Sequence, residues 1–177
     1  MGPIQALTSL SRLTHIDVVF VAETLDPVTT APLLATMNKF NSTPWYTIQP
    51  THTFETIPKD IEVVAIPGGA GSRSPYLNNT YTFLQQTVPH LRYLFTACTG
   101  SFVASKAGLL DGKRATTNKL AWKEVTTNNP RVQWIPHARW VVDGRFWTTS
   151  GVSAGTDGML AFIECFYGPA IATTVAK

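Results

Sequence analysis

The 177-residue sequence has little charge, few cysteines and no long hydrophobic run. Charged residues make up 14% of the chain and apolar residues 44%, which excludes a disordered tail and a solvated helical rod. Fourteen Lys and Arg against eleven Asp and Glu leave a net charge of +3, too small to indicate a nucleic-acid or membrane surface. The length suits one compact core, so we expect residues 1–177 to form a single domain.

The cysteine content is equally restrictive, because Cys98 and Cys165 are too few for a disulfide framework. No apolar run reaches the roughly eighteen residues needed to span a bilayer, and the first ten residues lack the basic start and apolar middle of a signal peptide. The four histidines show no metal-ligand spacing. We therefore expect a soluble cytoplasmic protein without a metal site.

Basic residues are unevenly distributed along the chain. Eight of the fourteen lie between Lys106 and Arg145, where the acidic residues are Asp111, Glu124 and Asp143, which leaves a local excess of five positive charges. Two interpretations are open. The segment forms a solvated basic face, or it forms a patch that attracts anionic ligands.

The order of strand-like and helix-like segments predicts the fold class. Helical spacing is found at residues 2–13, 33–40, 81–88, 100–110 and 158–167. Short β-branched or aromatic runs predict strands at 16–22, 45–48, 61–67, 93–97, 139–142 and 146–149. Because strands and helices alternate over short connections, we expect an α/β fold with a mainly parallel sheet, helices on both faces and a late β-hairpin at Asp143-Gly144.

The most informative segment for chemistry is residues 97–101, Ala-Cys-Thr-Gly-Ser, where a predicted strand turns into a predicted helix. A side chain at such a turn faces the cleft beyond the strand ends. The first amides of the helix favour thiolate over thiol, so we predict that Cys98 is a nucleophile. The alternative is an inert core cysteine. Cys165, on an apolar helical face, is expected only to pack.

A second glycine-rich turn follows the predicted strand 61–67 and has the sequence Gly-Gly-Ala-Gly-Ser-Arg from Gly68 onward. It matches neither a P-loop nor a dinucleotide fingerprint. Backbone amides of Gly69 and Thr99 could together form an oxyanion hole beside the cysteine. The alternative is an ordinary tight turn. For Trp122 and Trp147, core packing and a place in a pocket wall are both open.

Four segments together resemble the DJ/PfpI superfamily, the class I glutamine-amidotransferase-like proteins. They are residues 66–69 (IPGG), 97–103 (ACTGSFV), 107–117 (AGLLDGKRATT) and 151–157 (GVSAGTD). The sequence is most similar to the branch that contains isonitrile (isocyanide) hydratases and their fungal relatives. The resemblance implies a flavodoxin-like sheet, a homodimer, and no cofactor or metal. It also implies that Cys98 is the nucleophile and that Gly69 and Thr99 are oxyanion donors, with Gly68 beside them.

Two positions depart from that pattern. Several relatives have a histidine after the Ala-Thr-Thr segment, whereas this chain has Asn118, whose amide cannot exchange a proton near neutral pH. Relatives also carry a strand and an acidic residue before the Gly-Pro of the first helix, whereas here Gly2 and Pro3 follow Met1 directly. We therefore expect a sheet without its first strand and a cysteine without its usual carboxylate. Glu23 is either a substitute for that carboxylate or an ordinary surface residue.

These observations leave three functions open. The first is a cysteine-dependent hydratase or hydrolase that acts on a small electrophilic substrate such as an isonitrile. The second is a glyoxalase-like or deglycase-like enzyme that acts on reactive carbonyls. The third is a redox-sensing or binding protein that kept the exposed thiol but lost efficient turnover.

Overall fold

A computed structural model describes residues 2–32 and 34–177 of the chain. The helices are α1 (Gly2–Leu10), α2 (Asn78–Thr87), α3 (Gly100–Lys106), α4 (Trp122–Asn128), α5 (Val152–Tyr167) and α6 (Pro169–Val175). Short 3-10 turns cover Ala35–Met37, Ala70–Arg73 and Val88–His90. The strands are β1 (Val21–Ala22), β2 (Val28–Thr29), β3 (Thr47–Ile48), β4 (His52–Thr53), β5 (Val63–Ile66), β6 (Tyr93–Ala97), β7 (Arg114–Ala115), β8 (Gln133–Trp134), β9 (Trp140–Asp143) and β10 (Phe146–Thr149).

The main sheet has four strands in the order β5-β6-β10-β9. Strands β5, β6 and β10 are parallel, and β9 is antiparallel to β10. The hairpin between β9 and β10 turns at Gly144, whose φ of 59° suits glycine. The prediction of a mainly parallel sheet with a late hairpin is therefore confirmed.

Helices cover both faces of this sheet because side chains alternate along its strands. On β6, Leu94 belongs to a core cluster that also contains residues of α2 and α3. Its neighbour Phe95 belongs to the opposite cluster, with residues of α1, α5 and α6. In α1, the buried Ala6 and Leu10 lie one turn apart, which explains why this short helix docks.

Several predicted element boundaries differ from those of the structure. Helix α1 ends three residues before the predicted end at residue 13, and α5 begins at Val152 rather than at residue 158. Thr156 and Asp157 therefore lie inside α5, and Asp157 forms an ion pair with Arg139. Helix α3 ends at Lys106, four residues before the predicted end at residue 110.

The prediction of a buried strand over residues 16–22 is wrong. Only Val21–Ala22 is extended in a sheet, and it pairs with β4 in a separate two-stranded unit. A strand needs the backbone of a neighbour, and of residues 16–20 within the described chain only Phe20 has one, since its carbonyl accepts from the amides of Thr51 and His52. Of the predicted helix over 33–40, Leu33 lies outside the described residues and the rest contains one 3-10 turn. The predicted strand 45–48 is reduced to β3.

Strand β5 forms one edge of the main sheet, since within residues 2–32 and 34–177 it pairs with β6 alone. Its inner-face residue Ile66 is buried, whereas Val63 and Ala65, on the opposite face, are exposed. The carboxyl-terminal ends of β5 and β6 nevertheless lie side by side, because their register pairs Ile66 with Thr96. This arrangement brings the two turns that follow these strands together.

Within the described residues, no helix combines the length and the apolar character needed to cross a membrane.

Candidate active site

Cys98 occupies the turn between β6 and α3. Its φ is 57°, a left-handed conformation that costs a non-glycine residue about 1–2 kcal/mol. The surrounding structure holds it there, because the Cys98 amide donates to the Thr149 carbonyl at 3.0 Å and the Cys98 carbonyl accepts from Ser101 Oγ at 3.0 Å. The turn therefore fixes the thiol at the carboxyl edge of the sheet.

Two glycines allow the turn after β5 to pack against the cysteine turn. A Cβ on Gly68 would lie 2.6 Å from Cys98 Cβ and 2.6 Å from the Thr99 amide nitrogen. A Cβ on Gly100 would lie 2.2 Å from the Ile66 carbonyl oxygen. Neither position has room for a side chain, so close backbone approach requires glycine at both.

A network of buried hydroxyl groups connects the two turns. The Gly69 amide donates to Thr99 Oγ1 at 3.0 Å. Ser72 Oγ lies 2.7 Å from the Gly69 carbonyl and 2.9 Å from Thr99 Oγ1. The Gly69 amide, expected to be an oxyanion donor, is thus already used inside the protein. The Thr99 amide has no hydrogen-bond partner within the described residues.

A cavity of about 260 Å³ opens beside the cysteine. It is lined by Gly69, Arg73, Cys98, Thr99, Asn118, Leu120 and Ala121. Cys98 is half-buried, so a small molecule can reach its sulfur. None of these lining residues is an aspartate or a glutamate, which leaves the thiol without a carboxylate neighbour in the cavity wall.

The orientation of the Asn118 carboxamide is set by local hydrogen bonds. Its Oδ1 accepts from the amides of Leu120 and Ala121 at 3.1 and 3.2 Å. Its Nδ2 donates to the Ser150 carbonyl at 3.5 Å. Asn118 therefore presents a fixed polar wall to the cavity, and an amide there cannot move a proton.

The sequence did not predict that Arg73, Leu120 and Ala121 line the cavity, and Arg73 is the charged residue among them. It ends the 3-10 turn Ala70–Arg73, and its Nε and Nη2 donate to Glu124 Oε1 and Oε2 at 2.9 and 2.6 Å. The hydrogen bond with Glu124, and then its charge and that of Cys98, raise the pKa of Arg73. The same hydrogen bond lowers the pKa of Glu124. The basic residue at the end of the glycine-rich turn was the available signal, but its partner on α4 is 51 residues away.

Three of the candidate pocket residues lie elsewhere. Trp122 packs edge-on against Trp134 and beneath the Lys119 ammonium, outside the cavity lining. Trp147 is buried between β10 and α5, because its side chain alternates toward the opposite face of the sheet. Glu23 is exposed and accepts a hydrogen bond from Asn79 at the start of α2.

The second cysteine also differs from expectation. Cys165 is exposed on α5 and is not packed in a core, because the buried face of that helix is formed by Phe162 and Ile163. Over residues 2–32 and 34–177, no three His, Cys, Asp or Glu side chains lie close enough together to hold a metal ion.

Comparison with known proteins shows the family of this chain. A model of the DJ-1/PfpI family matches residues 2–165. The chain belongs to the DJ-1/PfpI family. It is 35% identical over 170 residues to the isonitrile hydratase of Pseudomonas putida, in an alignment that covers 94% of this chain and 65% of that protein. The chain therefore spans less than two thirds of the length of that relative.

Other known proteins are similar to this chain in sequence or in fold. The HTH-type transcriptional regulator GbdR of Pseudomonas aeruginosa is 28% identical over 117 residues, covering 66% of this chain and 32% of that protein. A THiJ/PfpI family protein from Pseudomonas syringae superposes with a TM-score of 0.74 and 29% identity, covering 98% of this chain and 65% of that chain. An AraC family transcriptional regulator from Pseudomonas putida has a TM-score of 0.76 at 16% identity, covering 99% and 88% of the two chains, which shows a shared fold. The flavodoxin-like architecture expected from the resemblance is confirmed.

Proposed function

We propose that this protein is a cysteine-dependent enzyme that hydrates small isonitriles to N-substituted formamides. The observation that carries the proposal is the half-buried Cys98 at a left-handed turn, facing a cavity that opens to solvent. The 35% identity to an isonitrile hydratase supports the choice of substrate. Glyoxalase-like or deglycase-like action on reactive carbonyls is the alternative enzyme function.

The reaction divides into two additions and one elimination. The Cys98 sulfur bonds to the terminal isonitrile carbon, and that carbon takes up the thiol proton to give a thioimidate, R–N=CH–S–Cys. Water then adds across the C=N bond, with its oxygen on carbon and one proton on nitrogen. The resulting adduct expels the thiol, which regains its proton, and releases R–NH–CHO.

Few groups of the cavity can assist these steps. The Thr99 amide, which lacks a partner within the described chain, can donate to the oxygen of the water adduct as negative charge develops on it. The Gly69 amide can do so only by leaving Thr99 Oγ1. Asn118 cannot transfer the protons and no carboxylate of the described residues lines the cavity, so water carries the protons. We therefore expect slower turnover than in an enzyme with a carboxylate beside its thiol.

A substrate panel tests this proposal. Formamide production from isonitriles and the consumption of methylglyoxal are to be measured with the wild type, Cys98→Ser and Cys165→Ser. We expect hydration of at least one isonitrile, its loss in Cys98→Ser and full activity in Cys165→Ser. Equal rates in the wild type and Cys98→Ser would contradict the role of the nucleophile. Consumption of methylglyoxal alone would support the alternative enzyme function.

A second candidate function is a redox-sensing or ligand-binding domain. It is favoured by the missing carboxylate in the cavity wall and by the similarity to transcriptional regulators. Peroxide would oxidise the Cys98 thiol to a sulfenic acid, with water as the other product. Intact-mass measurement followed by thiol reduction tests this: rapid, reversible oxidation confined to Cys98 supports sensing, and modification no faster than at Cys165 contradicts it.

A further inference from the structure

The cavity beside Cys98 has one charged side chain in its wall. Of its seven lining residues, Arg73 carries a charge and the other six are neutral apart from the titratable thiol. A cation this close to the nucleophile attracts an anionic reactant before any bond forms. Neutral lining groups such as Asn118 and Leu120 give no comparable preference.

The guanidinium of Arg73 is held in place and still has donors to offer. Glu124 engages Nε and Nη2 from one side in a two-pronged ion pair. Nη1 has no hydrogen-bond partner in the described part of the chain, so both of its hydrogens remain available. A planar guanidinium with a free edge is well suited to bind a carboxylate.

Two lysines lie close to the cavity residues in sequence. Lys119 lies between the lining residues Asn118 and Leu120, and Lys123 precedes Glu124 on α4. The Lys119 Nζ donates to Thr116 Oγ1 at 2.9 Å and lies over the face of Trp122. Neither lysine lines the cavity, so Arg73 is the cation of the cavity wall.

We propose that Arg73 is a specificity-determining residue that binds a carboxylate group on the substrate while Cys98 attacks the electrophilic carbon. The preferred substrates are then small electrophiles that carry a carboxylate, such as isocyano acids. A cavity of about 260 Å³ suits a molecule of that size. The identity of the electrophile rests on the proposed function, whereas the selection of an anion does not.

The test compares iodoacetate with iodoacetamide as alkylating reagents for Cys98. The two reagents differ in charge, but both release iodide as the leaving group, and neither reaction requires enzyme turnover. Alkylation of the Cys98 peptide is to be followed by mass spectrometry in the wild type, Arg73→Gln and Arg131→Gln, with the exposed Cys165 as an internal reference. Arg131→Gln is the matched control, because Arg131 also pairs with a carboxylate, Asp111, but lines another part of the surface.

We expect the ratio of iodoacetate to iodoacetamide rates at Cys98 to fall about tenfold in Arg73→Gln and to stay unchanged in Arg131→Gln. Arg73→Lys keeps the charge and should retain at least about a third of the wild-type ratio. Glu124→Gln removes the opposing charge and should raise the ratio about two- to threefold. An unchanged ratio in Arg73→Gln, or a ratio in folded Arg73→Lys as low as in Arg73→Gln, would overturn the proposal.

Turnover separates this inference from the proposed function. Isocyanoacetate and its methyl ester are to be compared as substrates by kcat/KM in the wild type and Arg73→Gln. A wild-type preference for the acid that is lost in Arg73→Gln supports both proposals. If neither compound is hydrated while the alkylation ratio still falls in Arg73→Gln, the hydratase proposal fails and the anion selection stands.

Discussion

Two parts of the chain with similar apolar sequences fold in different ways. Between Leu10 and Ile66, Pro50 is the one buried residue among those described, and the four strands of residues 11–60 are each two residues long. Residues 61–177 contain the four-stranded sheet, most of the core and the cavity. The run 16–22 is as β-branched as 61–67, but only the latter lies beside a long strand. The difference shows that strand formation depends on a neighbouring backbone as much as on local pattern.

The largest expected contrast between these parts is in stability. Phe95, on β6, is 1% exposed and Phe40, in the amino-terminal part, is 92% exposed. We expect Phe95→Ala to lower the free energy of unfolding by about 3–5 kcal/mol and Phe40→Ala to change it by less than about 0.5 kcal/mol. Urea denaturation measures both. A comparable loss in Phe40→Ala would show that residues 11–60 pack against a surface that the structure does not reveal.

A smaller contrast is expected within the second part, between two glycines of one turn. A Cβ on Gly68 meets the Cys98 turn at 2.6 Å, whereas a Cβ on Gly71 has no atom within 4 Å. We expect Gly68→Ala to cost about 1–3 kcal/mol by overpacking and to slow iodoacetamide alkylation of Cys98. Gly71→Ala should leave the alkylation rate unchanged. Equal alkylation rates in the two variants would contradict the close contact between the turns.

The smallest expected effect is the contribution of the Arg73–Glu124 ion pair to the pH dependence of the free energy of unfolding. Its hydrogen bond lowers the Glu124 pKa in the folded state, so the pair stabilises the fold above the unfolded pKa of about 4.3. That stability is lost as the pH falls through the folded pKa. Because both side chains are partly exposed, we expect a loss of at most about 1 kcal/mol between pH 6 and pH 3. Glu124→Gln should not show this loss of stability at low pH. If urea unfolding of the wild type and of Glu124→Gln depended on pH in the same way, the stabilising role of the ion pair would be contradicted.

Sequence reasoning worked best where a complete structural unit is contiguous in the chain. Local sequence signals mark the strand that ends at Ala97, the turn at Cys98 and the hairpin at Gly144. These signals are apolar runs, glycines and a change from strand-like to helix-like spacing of the apolar residues. Their positions were predicted correctly because little outside the segment is needed to form them.

Features that depend on residues far away in the sequence were not predicted correctly. Residues 16–22 have the composition of a strand, but the neighbour that they find is the two-residue strand β4. The ion pair that holds Arg73 joins residues 51 positions apart, and the Gly69 amide is captured by a hydroxyl 30 positions away. The buried position of Trp147 follows from the face on which β10 presents it, which only the register of the folded sheet defines.

The central claim is that the Cys98 sulfur forms a covalent bond to the substrate carbon. The most direct measurement is rapid acid quenching of the protein with an isonitrile, followed by intact-mass analysis and peptide mapping. We expect a transient mass increase equal to one isonitrile, located on the peptide that contains Cys98 and absent from Cys98→Ser. Formamide production at the wild-type rate by Cys98→Ser would contradict it.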